Sequence, residues 1–311
     1  MPVSITVVIP VYNEAGVVER THESLASVLD SCPQQFTILY VNDGSSDGSA
    51  ASLAALADRD PRVRTIELSR NFGHQAALTA GLDAAEGDAV ITMDCDGQHP
   101  PELIPQMLDL FAHGYDIVQG QRLDTDQAGF KKISSDAFYS ILNSLSGTHV
   151  EPGAADFRLM SRQAVDALKR MPEYHRFLRG MISWMGFRSV ILPYHESGRV
   201  AGQSKYSLRK MLRLALDALF SFSLAPLYVG LTMGGVLLCL AFLEMLYVLS
   251  FWVTGRTSGL APGWSSLMFV ILIIGGMLMV LLGFVGVYVG YIFQEVKRRP
   301  IYLLRKEKRD G

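Results

Sequence analysis

Asp88-Ala89-Val90-Ile91-Thr92-Met93-Asp94-Cys95-Asp96-Gly97-Gln98-His99 decides the fold. Residues Asp88–Met93 form a short, β-branched, apolar run that reads as a buried strand. Two carboxylates, a glycine and polar residues follow at its carboxyl end. Strand-like runs recur on both sides of it, at Ser4–Pro10, Phe36–Asn42, Val63–Leu68 and Ile117–Gln121. Helical patterns fill the gaps at Ala15–Ser31, Gly48–Asp60, Gln75–Ala85 and Glu102–Ala112. Strands and helices alternating at this spacing build βαβ units, hence an α/β domain with a mostly parallel sheet. Ligands of such sheets sit at the carboxyl ends of the strands. Those ends carry Pro10-Val11-Tyr12-Asn13-Glu14, Asn42-Asp43-Gly44-Ser45-Ser46-Asp47-Gly48, the Asp94–His99 stretch and Arg122.

Asp94-x-Asp96 is the central chemical signal. Carboxylates at i and i+2 just past a strand can point the same way, and oxygen-only ligands suit a hard cation such as Mg²⁺ or Mn²⁺. Taken alone, the pair reads more readily as a polar turn capping the next helix, and its place at the carboxyl end of the strand is what favours the metal reading. Asp43 reads as a turn residue and Asp47 as a cap for the following helix. Cys95 is expected to pack, and His74 and His99, without a readable partner carboxylate, are expected to be structural. Neither G-x-G-x-x-G after the first strand nor a P-loop occurs, which removes the main support for a dinucleotide oxidoreductase or an NTPase.

Composition splits along the chain of 311 residues. Hydrophobic residues make up 49% and charged residues 19%, with Lys plus Arg 28 against Asp plus Glu 30 and a net charge of −2. Disorder is excluded by that apolar content. Three scattered cysteines give neither a disulfide framework nor a zinc pattern. The near-neutral charge argues against a nucleic-acid partner. Leu227–Phe251 carries one charge, Glu244, and Leu267–Phe293 carries none. Each is long enough, at about 1.5 Å per residue, to cross a ~30 Å hydrocarbon core. Two transmembrane helices are expected. Trp252 and Trp264 flank the linker between them, and the basic tail after Phe293 places both ends in the cytoplasm. Met1-Pro2-Val3-Ser4 shows no basic leader, so the first domain is expected to stay in the cytosol. Gly230-x-x-x-Gly234 and Gly286-x-x-x-Gly290 allow close helix approach, within the hairpin or between subunits of a homo-oligomer. Glu244 reads as an interhelical or snorkelling residue, with a place on a lipid head-group path as the sharper alternative.

Two further segments are amphipathic. In Leu208–Phe220, Leu208, Met211, Leu212, Ala215, Leu216 and Leu219 oppose Arg209, Lys210 and Arg213. Phe177, Leu178, Met181, Ile182 and Met185 repeat the idea beside Arg176 and Arg179. Both are expected to lie at the membrane surface, with capping of the soluble core as the alternative. The polar segment Leu123–Lys132 reads as a loop over the acceptor or an ordinary surface loop.

The ordered set Pro-x-Tyr-Asn-Glu, Asn42–Gly48, Arg70-Asn71-Phe72-Gly73, Met93–Gln98, Ala155-Asp156-Phe157-Arg158, Gly198-Arg199 and Ser204-Lys205-Tyr206-Ser207 resembles the polyprenyl-phosphate glycosyltransferases of glycosyltransferase family 2. The bactoprenol glucosyltransferase branch is the best match, and the likeness covers nearly the whole chain. It implies a GT-A domain over 1–206, a juxtamembrane helix over 207–226, a transmembrane hairpin over 227–293 and a basic cytoplasmic tail over 294–311. It implies an inverting hexosyltransferase of the bacterial inner membrane that moves a sugar, glucose from UDP-glucose first, to undecaprenyl phosphate. UDP-N-acetylhexosamine, UDP-aminoarabinose and GDP-mannose are the alternative donors. Pro10, Tyr12 and Glu14 would border the nucleotide, with Val41 and Asp43 near the base. Asp94, Cys95 through its backbone, Asp96 and Gln98 would surround an Mg²⁺ or Mn²⁺ ion and the diphosphate. Arg122, Arg199 and Lys205 match basic positions around the donor and lipid phosphates, with Arg158 a partner of Asp156 or a phosphate ligand. Asp156 matches the family's proposed catalytic aspartate, either abstracting a proton or holding a metal-bound or arginine-linked network, and Asp96 is the other candidate catalytic residue. A processive synthase lacks support because no Gln-x-x-Arg-Trp occurs. An inactive nucleotide-sugar-binding scaffold is the competing class.

Overall fold

The computed structural model describes residues 3–123, 153–174, 176–195, 225–254 and 263–305. It divides into two units: 1–211 together with 299–311, and 212–298.

The first unit is built on β1 (Ser4–Val11), α1 (Val18–Leu29), β2 (Gln35–Asn42), α2 (Ser49–Arg59), β3 (Val63–Glu67), α3 (His74–Ala84), β4 (Ala89–Thr92), α4 (Ile104–Ala112), β5 (Ile117–Arg122), β6 (Ala154–Ser161), α5 (Arg162–Lys169), α6 (Leu178–Trp184) and β7 (Ser189–Tyr194). The seven strands form one sheet in the order β3-β2-β1-β4-β6-β5-β7. Pairings are parallel except those of β6 with β4 and β5. The five expected strands and four expected helices are all present, within a few residues at their ends. Strands β6 and β7 are additions.

The central strands are apolar on both faces because helices cover both. Val7, Val8, Ile9, Ile38, Val41, Val90 and Ile91 are fully buried. Each such side chain contributes about 1.5–3 kcal/mol by leaving water. Helix α3 lies so close to the sheet that a Cβ at Gly81 would collide with Val8 Cγ1. The antiparallel register of β6 sets the geometry of the sheet edge where β1, β2 and β4 end. It pairs Thr92 with Arg158, and continuing it two residues brings position 156 level with position 94. The Thr92 hydroxyl fixes this by donating to the Asp156 carbonyl at 2.7 Å.

Helix α6 corrects an expectation. Leu178, Met181 and Ile182 are buried in the core, so its apolar side caps the soluble domain. Only Trp184, at 68% exposure, points away from the core.

After residue 298 the chain rejoins the first unit. Leu304 makes an antiparallel bridge with Leu68, beyond the end of edge strand β3. Within the expected basic tail, Tyr302–Arg305 thus packs as part of the first unit.

The second unit holds α7 (Ala225–Val253, 29 residues) and α8 (Trp264–Lys297, 34 residues). They cover the two apolar runs and pack against each other. A Cβ at Gly230 would meet Leu281, so this glycine permits their contact, whereas nothing lies within 4 Å of such an atom at Gly234, Gly286 or Gly290. Among the described residues one helix, Ile273–Lys297, is long and apolar enough to cross a membrane, with mean hydropathy 2.2. The segment Leu208–Phe220, residues 124–152 and the 255–262 linker lie outside the described residues.

Candidate active site

Two loops at the carboxyl ends of β1 and β2 are tied together first. Asn13, with φ +54° in the left-handed region that asparagine tolerates, is the hinge. Its amide donates to Ser45 Oγ at 3.0 Å, and its side-chain oxygen accepts from the Ser46 amide at 2.9 Å. The Glu14 amide donates to Ser49 Oγ at 2.9 Å. The N-cap of α2 is Gly48, not Asp47 as expected; Asp47 stands one residue before it and accepts from the Ser49 amide at 2.9 Å. Pro10 pairs with buried Val41 across β1 and β2, while Tyr12 is 41% exposed beyond the strand end.

The loop after β3 closes onto this platform. The buried Asp43 carboxylate accepts from the Phe72 and Gly73 amides at 2.7 and 2.9 Å. Gly44, at φ +63°, lies under it; a Cβ there would collide with the Arg70–Asn71 backbone. A side chain is excluded on both counts. Burial pushes the Asp43 carboxyl up, against those two hydrogen bonds.

The Asp94–His99 loop follows β4. Asp94 Oδ1 is buried and accepts no hydrogen bond. Asp96 is half-buried and accepts from the Gln98 amide at 3.0 Å. Cys95 is buried, with its carbonyl accepting from the Thr21 hydroxyl at 2.8 Å, and burial pushes its thiol up to about 12. It is therefore inert as a thiolate. His99, stacked on Phe157 at 5.1 Å, accepts from the Asp94 amide through Nδ1 at 2.9 Å. That bond leaves its proton on Nε2, which faces Asp94 Oδ2 at 3.7 Å.

Level with Asp94 stands Asp156, 6% exposed. Arg158 donates to its Oδ1 at 2.8 Å, and Arg179 of α6 makes a two-pronged contact at 3.1 Å to each oxygen. His74, the first residue of α3, lies 3.4 Å from Asp156 Oδ2 and 3.5 Å from Asp94 Oδ1. Burial alone would raise the Asp156 carboxyl, but Arg179, His74 and Arg158 hold it well below the usual carboxylate range. Burial opposes the charge on His74, yet Asp94 and Asp156 outweigh it and lift the imidazole to about 9. Burial brings Arg158 down to about 10 against the attraction of Asp156. The result is a fixed carboxylate walled by three cations, beside a second carboxylate whose Oδ1 accepts no hydrogen bond and lies 3.5 Å from the same imidazole.

A family model described as glycosyl transferase family 2 matches residues 6–169, the span that carries nearly all of these groups. The chain belongs to glycosyltransferase family 2. Its α/β fold with a mostly parallel sheet is a GT-A-like glycosyltransferase domain. It is 40% identical over 308 residues to uncharacterized glycosyltransferase YkcC of Bacillus subtilis (strain 168), covering 97% of this chain and 93% of that one. It is 36% identical over 307 residues to the SfII prophage-derived bactoprenol glucosyl transferase of Shigella flexneri, covering 98% of each. Among solved structures, glucosyl-3-phosphoglycerate synthase from Mycobacterium tuberculosis aligns with a TM-score of 0.49 at 17% identity, over 71% of this chain and 79% of that one.

Within this family 2 enzyme the expected site residues Pro10, Tyr12, Glu14, Val41, Asp43, Asp94, Cys95, Asp96, Gln98 and Arg122 all stand at strand ends on one edge of the sheet, and Asp156 joins them from β6. Arg199 and Lys205 lie outside the described residues. Arg158 is 2% exposed and turned to Asp156. Three participants escape the sequence reading. His74, expected to lack a partner carboxylate, has two, and His99, under the same expectation, faces Asp94. Arg179, assigned to a membrane-facing cationic side, instead grips Asp156. Position is the signal for His74, because it directly follows the loop after β3, at the same sheet edge. Nothing local signals Arg179.

Among the described residues no three His, Cys, Asp or Glu side chains form a metal cage. The Asp94/Asp96 pair nevertheless fits a hard divalent ion. Such an ion keeps waters and takes phosphate oxygens from its ligand, so one or two carboxylates suffice, and Asp94 Oδ1 is a buried acceptor without a donor.

Proposed function

We propose that this glycosyltransferase moves a hexose, glucose from UDP-glucose in the first instance, onto undecaprenyl phosphate at the cytoplasmic face of the bacterial inner membrane, with inversion. The observation that carries the reading is end-to-end similarity, 98% of both chains, to a protein named bactoprenol glucosyl transferase. The long helices support it. Val253, Met279 and Val296 are 80%, 73% and 72% exposed, a degree of apolar exposure suited to lipid rather than water. Two membrane crossings by α7 and α8 would put 1–211 and 299–311 on the same side, in keeping with a tail that rejoins the catalytic domain.

Asp94 and Asp96, with Gln98 beside them, would hold Mg²⁺ or Mn²⁺. Such an ion offsets the charge that gathers on a departing nucleoside diphosphate. The chain's own residues do the rest. Pro10, Tyr12, Glu14, Val41 and the Asp43 loop form the nucleotide platform, and Arg122 reaches the donor phosphates from β5. Arg199 and Lys205 supply further cations for the donor diphosphate and the acceptor phosphate. The acceptor is a phosphate monoester whose second pKa is about 6, so it is mostly dianionic at neutral pH. It attacks the anomeric carbon through oxygen without needing a base. Asp156, ionised and clamped by two guanidiniums, is a poor proton acceptor. It serves instead to hold Arg179, Arg158 and His74 as a preorganised positive wall facing the transferred charge.

The test is a transfer assay on detergent-solubilised protein with undecaprenyl phosphate and radiolabelled UDP-glucose, UDP-N-acetylglucosamine or GDP-mannose, each with Mg²⁺, Mn²⁺ or EDTA. A labelled glycolipid from UDP-glucose, lost with EDTA and with Asp96→Asn, is the expected result. Donor binding without consumption of any donor would sink the transferase reading for these substrates and favour the scaffold.

A further inference from the structure

The last described residues of the chain reach the donor site from behind. The Ser69 amide donates to the Leu303 carbonyl at 2.8 Å, and the Arg305 amide donates to the Glu67 carbonyl at 2.8 Å. The Arg305 guanidinium reaches Glu67 Oε1 at 2.7 Å, and the Tyr302 hydroxyl donates to Asp83 of α3 at 3.0 Å. Burial, with Asp83 alongside, pushes the Tyr302 phenol up to about 12, so it remains a donor. Tyr302–Arg305 therefore grips the end of β3 and the body of α3. The only chain between those two is the loop 68–73. Its other anchor is the β2 loop: the Leu68 amide on the Asn42 carbonyl at 2.9 Å, the Arg70–Asn71 backbone over Gly44, and the Phe72 and Gly73 amides on Asp43. The next residue is His74, poised between Asp94 and Asp156. A sheet edge could be covered by any passing strand. This one covers the two elements that frame the nucleotide loop.

We propose that Tyr302–Arg305 is a positioning clip for the donor site: it holds the 68–73 loop, and through it Asp43, in the shape that receives the nucleotide. The clip rests on the reading of the Asp43 loop as part of the nucleotide platform. Because the clip follows α8 by four residues in the chain, donor affinity then depends on how that helix ends. Its residues touch no reacting atom, so their loss acts on binding rather than on chemistry.

The experiment uses the full-length protein in detergent, as wild type, as Arg305→Pro, which lacks the amide that donates to Glu67, and as a chain ending before Tyr302. Three quantities are read: the Kd for UDP and for GDP with Mg²⁺, the donor KM and kcat, and hydrogen exchange over 67–74. Kd and KM are expected to rise about three- to tenfold with kcat within about twofold of wild type. The Phe72 and Gly73 amides should exchange faster, and a peptide of residues 300–311 added to the truncated chain should restore part of the affinity. Should Arg305→Pro lose its cooperative melt, Tyr302→Phe combined with Glu67→Gln loosens the same grip through side chains alone. Faster exchange at Ser69 with unchanged exchange at Phe72 and Gly73 and unchanged Kd would overturn the proposal, leaving an edge cover. A fall in kcat at constant KM would overturn it too. If wild type binds neither UDP nor GDP, the donor-platform reading fails instead, and the exchange data alone decide whether the clip holds the loop.

Discussion

Asp43 and Asp156 are both aspartates, both buried, and both on the same edge of one sheet, yet their carboxyls shift in opposite directions. Asp43 is held by two backbone amides. These partial charges do not offset its loss of water, and its proton is bound more tightly than usual. Asp156 meets two guanidiniums and an imidazole, and these charges overcome its burial. The difference separates two kinds of anchor. A carboxylate that grips backbone shapes a loop, whereas one that grips cations fixes where those cations stand.

The two can be broken separately. Asp156→Asn should have the largest effect. It leaves buried Arg158 and half-buried Arg179 without their counter-charge, which costs about 3–5 kcal/mol of stability in urea denaturation. Transfer should fall by at least about a hundredfold as the cations lose their arrangement. Asp43→Asn should be milder, because one oxygen still accepts a backbone amide and only the other bond is lost. About 1–3 kcal/mol is expected, with donor KM raised and kcat retained in steady-state kinetics.

Protonation sharpens the contrast. The folded pKa of Asp156 is depressed, so its contribution is present above the ordinary carboxylate value of 3.8 and disappears as pH falls below it. Asp43 acts with the opposite sign over the range just above 3.8. His74 runs the other way again. Its folded pKa is raised from 6.5 to about 9, so its stabilisation is complete below 6.5 and is lost as pH climbs through about 9. Melting wild type and His74→Gln in EDTA should therefore show a gap in Tm at about pH 6 that closes by about pH 9.5. The smallest effect is expected at Arg59, whose pair with Glu19 is exposed on both sides. Arg59→Ala should shift urea stability by less than about 0.5 kcal/mol.

The half of the candidate site built on β1 to β4 is readable because its information is local. Strands β1, β2 and β4 announce themselves by apolar runs, and the turn residues Asn13, Gly44 and Asp47 follow β1 and β2 directly. The other half is not. Strand β6 is buried along its whole length but contains Asp156 and Arg158, and two charges interrupt the apolar run that marks a buried strand. Their mutual pairing and their alignment with Asp94 exist only in the β4–β6 register. The periodicity of α6 reveals an apolar side but not its partner, so Leu178, Met181 and Ile182 read as lipid-facing when they pack on the core. Arg179 is misassigned with them. His74 meets carboxylates 20 and 82 positions away, separations no local pattern encodes. The tail is similar: Leu304 bridges Leu68 from 236 positions away.

The central claim is that the sugar acceptor is a lipid phosphate. Mass spectrometry of the lipid fraction after incubation of the full-length protein with UDP-glucose, Mg²⁺ and undecaprenyl phosphate tests it most directly. The account predicts the mass of undecaprenyl phosphate plus one hexose, absent with Asp156→Asn. Free glucose in the aqueous phase with the lipid unchanged would contradict it.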